Sequence, residues 1–157
     1  MKKSLVFLIT ILFCSALNAQ DIDFSGAWKL NSSKSNLNYD FTLAPATIIV
    51  IHKGNEISIE KHSNMQGQEY KTTDKYTCDG KECINMAWEN MEKKSTAVWS
   101  DDKKSLKVTS KLAAGGDIGD VSIVEIYRMD NGNMILDSVA SSSYGDLTEK
   151  MVYDKQQ

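Results

Sequence analysis

The feature that most constrains the fold of this chain is an alternation of apolar and polar residues, broken by turn residues about every eight to twelve positions. In EISIEKH at 56–62, for example, Ile57 and Ile59 share one face and polar side chains occupy the other. This period of two is typical of half-buried β-strands. Ten candidate strands follow one another: 25–31, 47–53, 56–62, 69–77, 84–90, 94–100, 105–112, 121–129, 133–141 and 147–155.

Nearly all of these candidate strands are joined by hairpin-length turns, which favours an antiparallel meander over crossing connections. A long meander leaves two exposed edges unless it closes on itself. The sequence therefore predicts an all-β fold, a single antiparallel up-and-down β-barrel of about eight to ten strands. A barrel of that size has room inside for one small ligand.

The first residues have the layout of a secretory signal peptide. Lys2 and Lys3 precede the apolar run 5–13, and Ala19 is a small residue at the cleavage position. We expect residues 1–19 to be removed on export, leaving residues 20–157 as one barrel domain, periplasmic or secreted. A lipoprotein anchored at Cys14 is less well supported because the bulky Phe13 precedes it. No second apolar run is long enough for a membrane span.

The charge of the chain argues against a nucleic-acid partner. Its formal net charge is −3, and loss of the two leader lysines makes it −5. Binding to phosphates requires a basic surface. Positive and negative residues are interspersed, as on a solvated surface. We expect a monomer, and the sequence does not indicate a particular protein partner.

Two cysteines follow the leader, in TCDGKEC at 77–83. In an exported chain, Cys78 and Cys83 at this spacing are most simply a disulfide at the foot of a tight Asp-Gly hairpin. The alternative is a metal site that adds His52 and His62, but their spacing is unlike zinc motifs. We therefore predict the disulfide and no metal.

The segment FSGAWKL at 24–30 opens the first strand directly after the leader. This Gly-x-Trp opening, with the meander that follows, resembles the lipocalin-like (calycin) barrels, and in particular small lipocalin-like proteins secreted by Gram-negative bacteria. The YTCDGKE and YRMDNGN hairpins are similar to turns of that group. The resemblance implies that Gly26 and Trp28 are structural, with Trp28 across the closed end and a basic side chain over its ring. Arg128, the chain's one arginine, and Lys150 are the candidates; alternatively, Arg128 lies at an exposed strand end.

The faces expected to point inward mix aromatic, apolar and acidic side chains. On 84–90, Ile84, Met86 and Trp88 are aligned. On the later strands, carboxylates occur among apolar residues, which is costly unless they are paired or meet a ligand. A strand bulge that turned these acids to solvent would be the alternative. The residues predicted to contact a ligand are Trp28, Tyr70, Tyr76, Trp88, Glu125, Tyr127 and Glu149.

These observations favour an exported barrel that binds a small apolar or amphipathic ligand in its interior. The alternative is a filled scaffold that contacts another protein through two irregular segments, 31–45 and 113–120. The chain shows no nucleophile elbow or phosphate-binding glycine loop, so we expect no catalytic residue and no cofactor.

Overall fold

Ten antiparallel β-strands make up most of the chain that the computed structural model describes, which comprises residues 22–38, 41–65 and 67–157. The signal peptide predicted at 1–19 lies outside these residues. The strands are β1 Gly26–Leu30, β2 Thr47–Lys53, β3 Glu56–Met65, β4 Gln68–Thr77, β5 Cys83–Met86, β6 Glu92–Trp99, β7 Ser105–Gly115, β8 Gly119–Asp130, β9 Asn133–Ser142 and β10 Gly145–Lys155.

The ten strands form one sheet in the order β4-β3-β2-β1-β10-β9-β8-β7-β6-β5. All neighbours except β1 and β10 are consecutive in sequence, so the sheet is a meander that curls into a nearly closed barrel. The turn between β8 and β9 shows why the hairpins form: Asn131 and Gly132 have φ of 48° and 81°, the positive values that a type I′ turn needs. The predicted all-β up-and-down barrel is confirmed.

The strand predicted at 84–90 is shorter and faces the opposite way. β5 ends at Met86, and Trp88–Asn90 form a single 3₁₀ turn. Asn85 is buried, whereas Ile84 and Met86 are 60% and 55% exposed. The prediction that Ile84, Met86 and Trp88 point inward is therefore wrong, because the inward position belongs to Asn85.

Asn85 occupies that position because it joins the two ends of the sheet, β4 and β5, which share no strand ladder. Its side-chain Oδ1 accepts the backbone N–H of Lys75 at 2.8 Å, and its Nδ2 donates to the carbonyl of the same residue at 3.1 Å. The amide thus makes the pair of hydrogen bonds that a neighbouring strand would make. We call this junction between β4 and β5 the seam.

The predicted disulfide is wrong, since no bond joins Cys78 to Cys83. The segment between them does not fold into a two-stranded hairpin, because the N–H of Gly80 donates to the carbonyl of Ala97 on β6. The Cys83 sulfur instead accepts the backbone N–H of Thr77 at 3.4 Å. Within the described ranges, no group of three His, Cys, Asp or Glu residues is placed to hold a metal ion.

Segment 113–120 is also more regular than expected. β7 continues to Gly115 and β8 begins at Gly119, so the segment is a hairpin with a register shift near its tip. Its prediction as an irregular connection is wrong, because glycines at the tip permit a tight turn. In the part of the chain with described structure, no helix is long and apolar enough to cross a membrane.

Trp28 lies fully buried at the closed end of the barrel. Its indole N–H donates to the carbonyl of Phe24 at 2.8 Å, and the Phe24 ring stacks on Trp99 with centroids 5.8 Å apart. The cation over the Trp28 ring is Lys155, whose Nζ is 5.3 Å from the ring centroid. Lys155 is the residue opposite Trp28 in the β1–β10 register.

The predicted covers, Arg128 and Lys150, are therefore wrong. The Arg128 guanidinium binds the carboxylate of Asp137 at 3.0 Å, on the next strand. Lys150 is exposed, and its backbone bridges Asn36. Both residues belong to the outer surface, since their neighbours in sequence alternate into the interior.

Gly26 permits this packing. Its φ is +132°, and a Cβ built on it would lie 3.0 Å from Cε of Lys155. The Gly of Gly-x-Trp is thus required by the backbone, whose φ of +132° other residues rarely adopt, while the end of the Lys155 side chain can move aside. We expect Gly26→Ala to lower the free energy of unfolding by about 2–3 kcal/mol. Urea denaturation measures the change.

Gly54→Ala is the matched control, since Gly54 also has positive φ (+59°) but a Cβ added to it would meet nothing within 4 Å. It should cost only about 1–2 kcal/mol, the penalty for a left-handed residue. Equal losses at the two positions would show that the φ of +132° at Gly26 costs no more than an ordinary left-handed turn position.

The seam leads to a second prediction. Asn85→Ala removes both hydrogen bonds to Lys75 and leaves a backbone N–H and carbonyl unpaired, so we expect a loss of about 2–3 kcal/mol in urea denaturation. Asn36→Ala is the control, because the bonds of Asn36 to Lys150 use its backbone. A change at Asn85 no larger than that at Asn36 would contradict closure by the side chain.

Candidate functional site in the barrel interior

The inward-facing residues change in character along the barrel. The closed end is filled by buried aromatic rings, those of Phe24, Trp28, Trp99, Tyr127 and Tyr153. At the other end, the neighbours Ile123, Ala140 and Leu147 are apolar and small to medium in size. Polar and charged side chains occupy the middle. The inward-facing side chains therefore form an apolar end above a polar layer.

The first part of the polar layer is an ion pair that crosses the interior. Lys61 Nζ lies 2.5 Å from the Glu125 carboxylate, although β3 and β8 are not neighbours in the sheet. The two side chains are 14% and 10% exposed, so small molecules of the size of water reach the pair. Lys61 Nζ is also 6.0 Å from the ring centroid of Tyr127.

A second ion pair lies beside the seam. Lys93 Nζ on β6 is 2.7 Å from one oxygen of the Asp74 carboxylate on β4 and donates to the other at 2.8 Å. Asp74 is fully buried. The two edges of the sheet are β4 and β5, and β6 is the strand next to β5. An ion pair between β4 and β6 therefore also helps to hold the two edges together.

Two tyrosine hydroxyls complete the layer. Tyr76 and Tyr127 are 3% and 1% exposed. The Tyr76 hydroxyl has no hydrogen-bond partner among the described residues, and the Tyr127 hydroxyl lies beside the Glu125 carboxylate without a well-aligned hydrogen bond to it. Other hydroxyls nearby are satisfied: Tyr153 donates to the Pro45 carbonyl at 3.1 Å, and Ser95 pairs with Ser110 at 2.8 Å. We call Lys61, Asp74, Tyr76, Lys93, Glu125 and Tyr127 the inner polar cluster.

The surroundings of Lys61, Tyr76 and Tyr127 shift the pKa values of all three groups upward. Burial raises the pKa of the Tyr76 and Tyr127 hydroxyls well above the ordinary value, and the nearby carboxylates raise it further. Burial opposes the charge of Lys61, but Glu125, Tyr76 and Asp74 outweigh it and raise the pKa of the lysine. The tyrosines are neutral donors, and Lys61 stays charged.

Glu149 is buried and anchors the long 31–45 segment. Its two carboxylate oxygens accept the backbone N–H groups of Asn38 at 2.9 Å and Leu43 at 3.0 Å. These bonds are charge-assisted and hold the loop against β10. The carboxylate is thus already satisfied by the chain itself.

The structure brings together three of the residues predicted to contact a ligand, Tyr76, Glu125 and Tyr127, with Trp28 below them at the closed end. Tyr70 and Trp88 lie outside the buried interior, 43% and 44% exposed. Tyr70 shares the inward face of Asp74 and Tyr76, as predicted, but lies near the turn end of β4, where it is exposed. The predicted inward placement of Trp88 is wrong, because Trp88 lies in the 3₁₀ turn.

The sequence interpretation missed both lysines of the cluster. Lys61 continues the inward alternation of Ile57 and Ile59, and Lys93 stands two residues before the buried Ser95. Buried carboxylates at Asp74 and Glu125 require cations nearby, and that requirement was the signal that could have identified the lysines.

A groove of about 390 Å³ lies elsewhere, on the outside of β2–β4 near the seam. Exposed and charged side chains such as Lys53 and Glu56 line much of it. Of the inner polar cluster only Tyr76 borders this groove, so the cluster, where the buried polar groups lie together, is the better candidate site.

The buried tyrosines lead to a titration prediction. The hydroxyls of Tyr76 and Tyr127 have a higher pKa in the folded protein than in the unfolded chain, where it is about 10. Their contribution to stability is therefore complete at pH values below about 10, and it is lost as the pH rises through the folded pKa. Near pH 10.5, the native protein should therefore show a smaller tyrosinate absorbance at about 295 nm than the urea-unfolded chain. The remainder should appear only as alkali unfolds the barrel.

Tyr76→Phe should reduce only this late, unfolding-linked part of the absorbance change. Circular dichroism recorded in the same titration tells when the barrel unfolds. Full tyrosinate absorbance near pH 10.5 with native circular dichroism would contradict the burial of these hydroxyls.

Comparison with known proteins finds neither a protein-family model nor a curated protein that matches this sequence. Two solved structures are similar over most of the chain. The zebrafish ileal bile acid-binding protein complexed with cholic acid has a TM-score of 0.58 and 14% identity, covering 85% of this chain and 98% of that one. A secretory abundant heat soluble protein from Ramazzottius varieornatus has a TM-score of 0.58 and 15% identity, covering 85% and 95%. The chain therefore has a lipocalin-like barrel fold, as these two proteins do.

Proposed function

We propose that the barrel binds a small apolar or amphipathic molecule in its interior, with the polar end of that molecule on the inner polar cluster. The main observation behind this proposal is that the buried hydroxyls of Tyr76 and Tyr127 form no well-aligned hydrogen bond within the described residues. A buried hydroxyl without a hydrogen bond costs about 1–3 kcal/mol. Two such groups in one layer are explained by a ligand that completes them.

The distribution of inward-facing side chains suits the same ligand. The apolar end with Ile123, Ala140 and Leu147 suits a hydrocarbon part, and the polar layer below it suits the head. The similar zebrafish barrel was solved with cholic acid, a molecule with an apolar body and polar groups. That likeness supports a ligand in the interior without identifying the ligand of this chain.

The alternative, contact with another protein through 31–45 and 113–120, has less support. The second segment is mostly β-hairpin, and Glu149 holds the first against β10. We further propose export to the periplasm or beyond, supported by the leader at 1–19. Fractionation of cells producing the full chain tests export, and a full-length protein in the cytoplasm would contradict it.

The double variant Tyr76→Phe/Tyr127→Phe tests the interior site. Loss of two hydrogen bonds to the ligand should weaken binding about tenfold or more. The same change removes two buried unpaired hydroxyls, so the free energy of unfolding of the ligand-free protein should stay equal or rise. Mass spectrometry of molecules that co-purify with the exported protein supplies the ligand, and calorimetry measures its affinity.

Tyr144→Phe is the matched control, since Tyr144 is 76% exposed. It should change neither affinity nor stability. Failure to find any bound or binding apolar molecule would overturn the proposal, as would a double variant that binds as tightly as the parent. The first of these outcomes would also favour the filled scaffold.

A further inference from the structure

The charges of the inner polar cluster are already matched by the protein. Lys61 binds Glu125, and Lys93 donates to Oδ2 of Asp74 and lies 2.7 Å from Oδ1, an ion-pair distance without a hydrogen bond. Glu149 is satisfied by two backbone N–H groups. The cluster itself holds two cations and two carboxylates, a formal net charge of zero, and Glu149 beside it adds a third carboxylate. Neither lysine is left without a carboxylate.

This balance is unfavourable to an anionic ligand. A carboxylate entering the layer would have to displace Glu125 or Asp74 from its lysine, or lie beside them as a further negative charge. In a medium of low dielectric constant, like charges repel strongly, and a displaced carboxylate would be buried without a partner. The groups still available to a ligand are the neutral hydroxyls of Tyr76 and Tyr127 and the Oδ1 of Asp74, a carboxylate oxygen that accepts a hydrogen bond but repels an anion.

We infer that the barrel selects ligands whose buried polar end is uncharged, a hydroxyl, ester or amide group that pairs with Tyr76 and Tyr127, and discriminates against ionised carboxylates. A tyrosine hydroxyl both donates and accepts, so it suits an alcohol or a carbonyl equally. The inference rests on the proposed function, since it names the ligand class of the same site.

A matched pair of ligands tests the selectivity. Dodecanoate and 1-monododecanoylglycerol share the same acyl chain and differ in the charge of the head. At about pH 8 the acid is ionised. Calorimetric titration of the wild-type protein, below the micelle-forming concentration of each, should give an affinity at least about tenfold higher for the glyceride, a difference of about 1.4 kcal/mol.

The variant Glu125→Gln then tests the cause. It keeps the shape of the side chain and releases Lys61 as a buried cation without a carboxylate. Dodecanoate should gain about tenfold or more in affinity, because it supplies the missing charge, whereas the glyceride should change by less than about threefold. Asp74→Asn releases Lys93 in the same way and serves as the second variant if Glu125→Gln does not fold.

Glu60→Gln is the control for overall charge. Glu60 pairs with Lys71 and His62 on the outer face, so the variant loses the same charge outside the barrel. It should leave the preference unchanged. Circular dichroism confirms that each variant is folded.

Three results would overturn the inference. The first is a wild-type protein that binds dodecanoate as tightly as the glyceride. The others are folded Glu125→Gln and Asp74→Asn variants that gain no affinity for dodecanoate, or a gain in that affinity that is equally large in Glu60→Gln. If none of these proteins binds either compound and no other apolar molecule is found, the proposed function itself fails. Binding of dodecanoate in preference to the glyceride by the wild type leaves the proposed function standing and rejects only the selectivity.

Discussion

The ion pair between Lys61 and Glu125 is the interaction on which the organisation of the interior depends. It joins β3 to β8 across the barrel rather than along the sheet. Burying two charges costs more than burying apolar side chains of the same size, so such a pair is weak evidence for stability. What it determines is composition: the middle of the barrel must be polar, and the apolar packing is confined to the closed end.

That closed end supplies the stability which the middle does not. Phe24, Trp28 and Trp99 form a buried aromatic layer, fixed by the bond from the Trp28 indole to the Phe24 carbonyl. Aromatic burial is among the largest favourable contributions that individual side chains make. The division of labour is consistent with a binding protein, since the half that packs tightly is separate from the half that retains unpaired hydroxyls.

Strand positions and the barrel could be predicted from the sequence, because a period of two and Asn-Gly turns are local signals. The 121–129 prediction and β8 agree closely, and the inward placement of Glu125 and Tyr127 follows from the alternation. What failed depended on partners distant in sequence. Lys155, not Arg128 or Lys150, covers Trp28 because register places it there. Asn85 turns inward because of a hydrogen-bonding need of β4, which no pattern within 84–90 could reveal.

The same distant contacts couple the seam to the site. β4 and β5 have no ladder between them, so the barrel is held there by the Asn85 amide and by the Asp74–Lys93 pair. Asp74 therefore has two roles, joining the sheet edges and neutralising a cation inside the cluster. A ligand that competed for Lys93 would weaken the seam as it bound, and its affinity would be reduced by that cost. A ligand that used only Tyr76 and Tyr127 would leave the seam intact. The contacts that close the barrel at the seam thus favour neutral ligands, as the charges of the inner polar cluster also do.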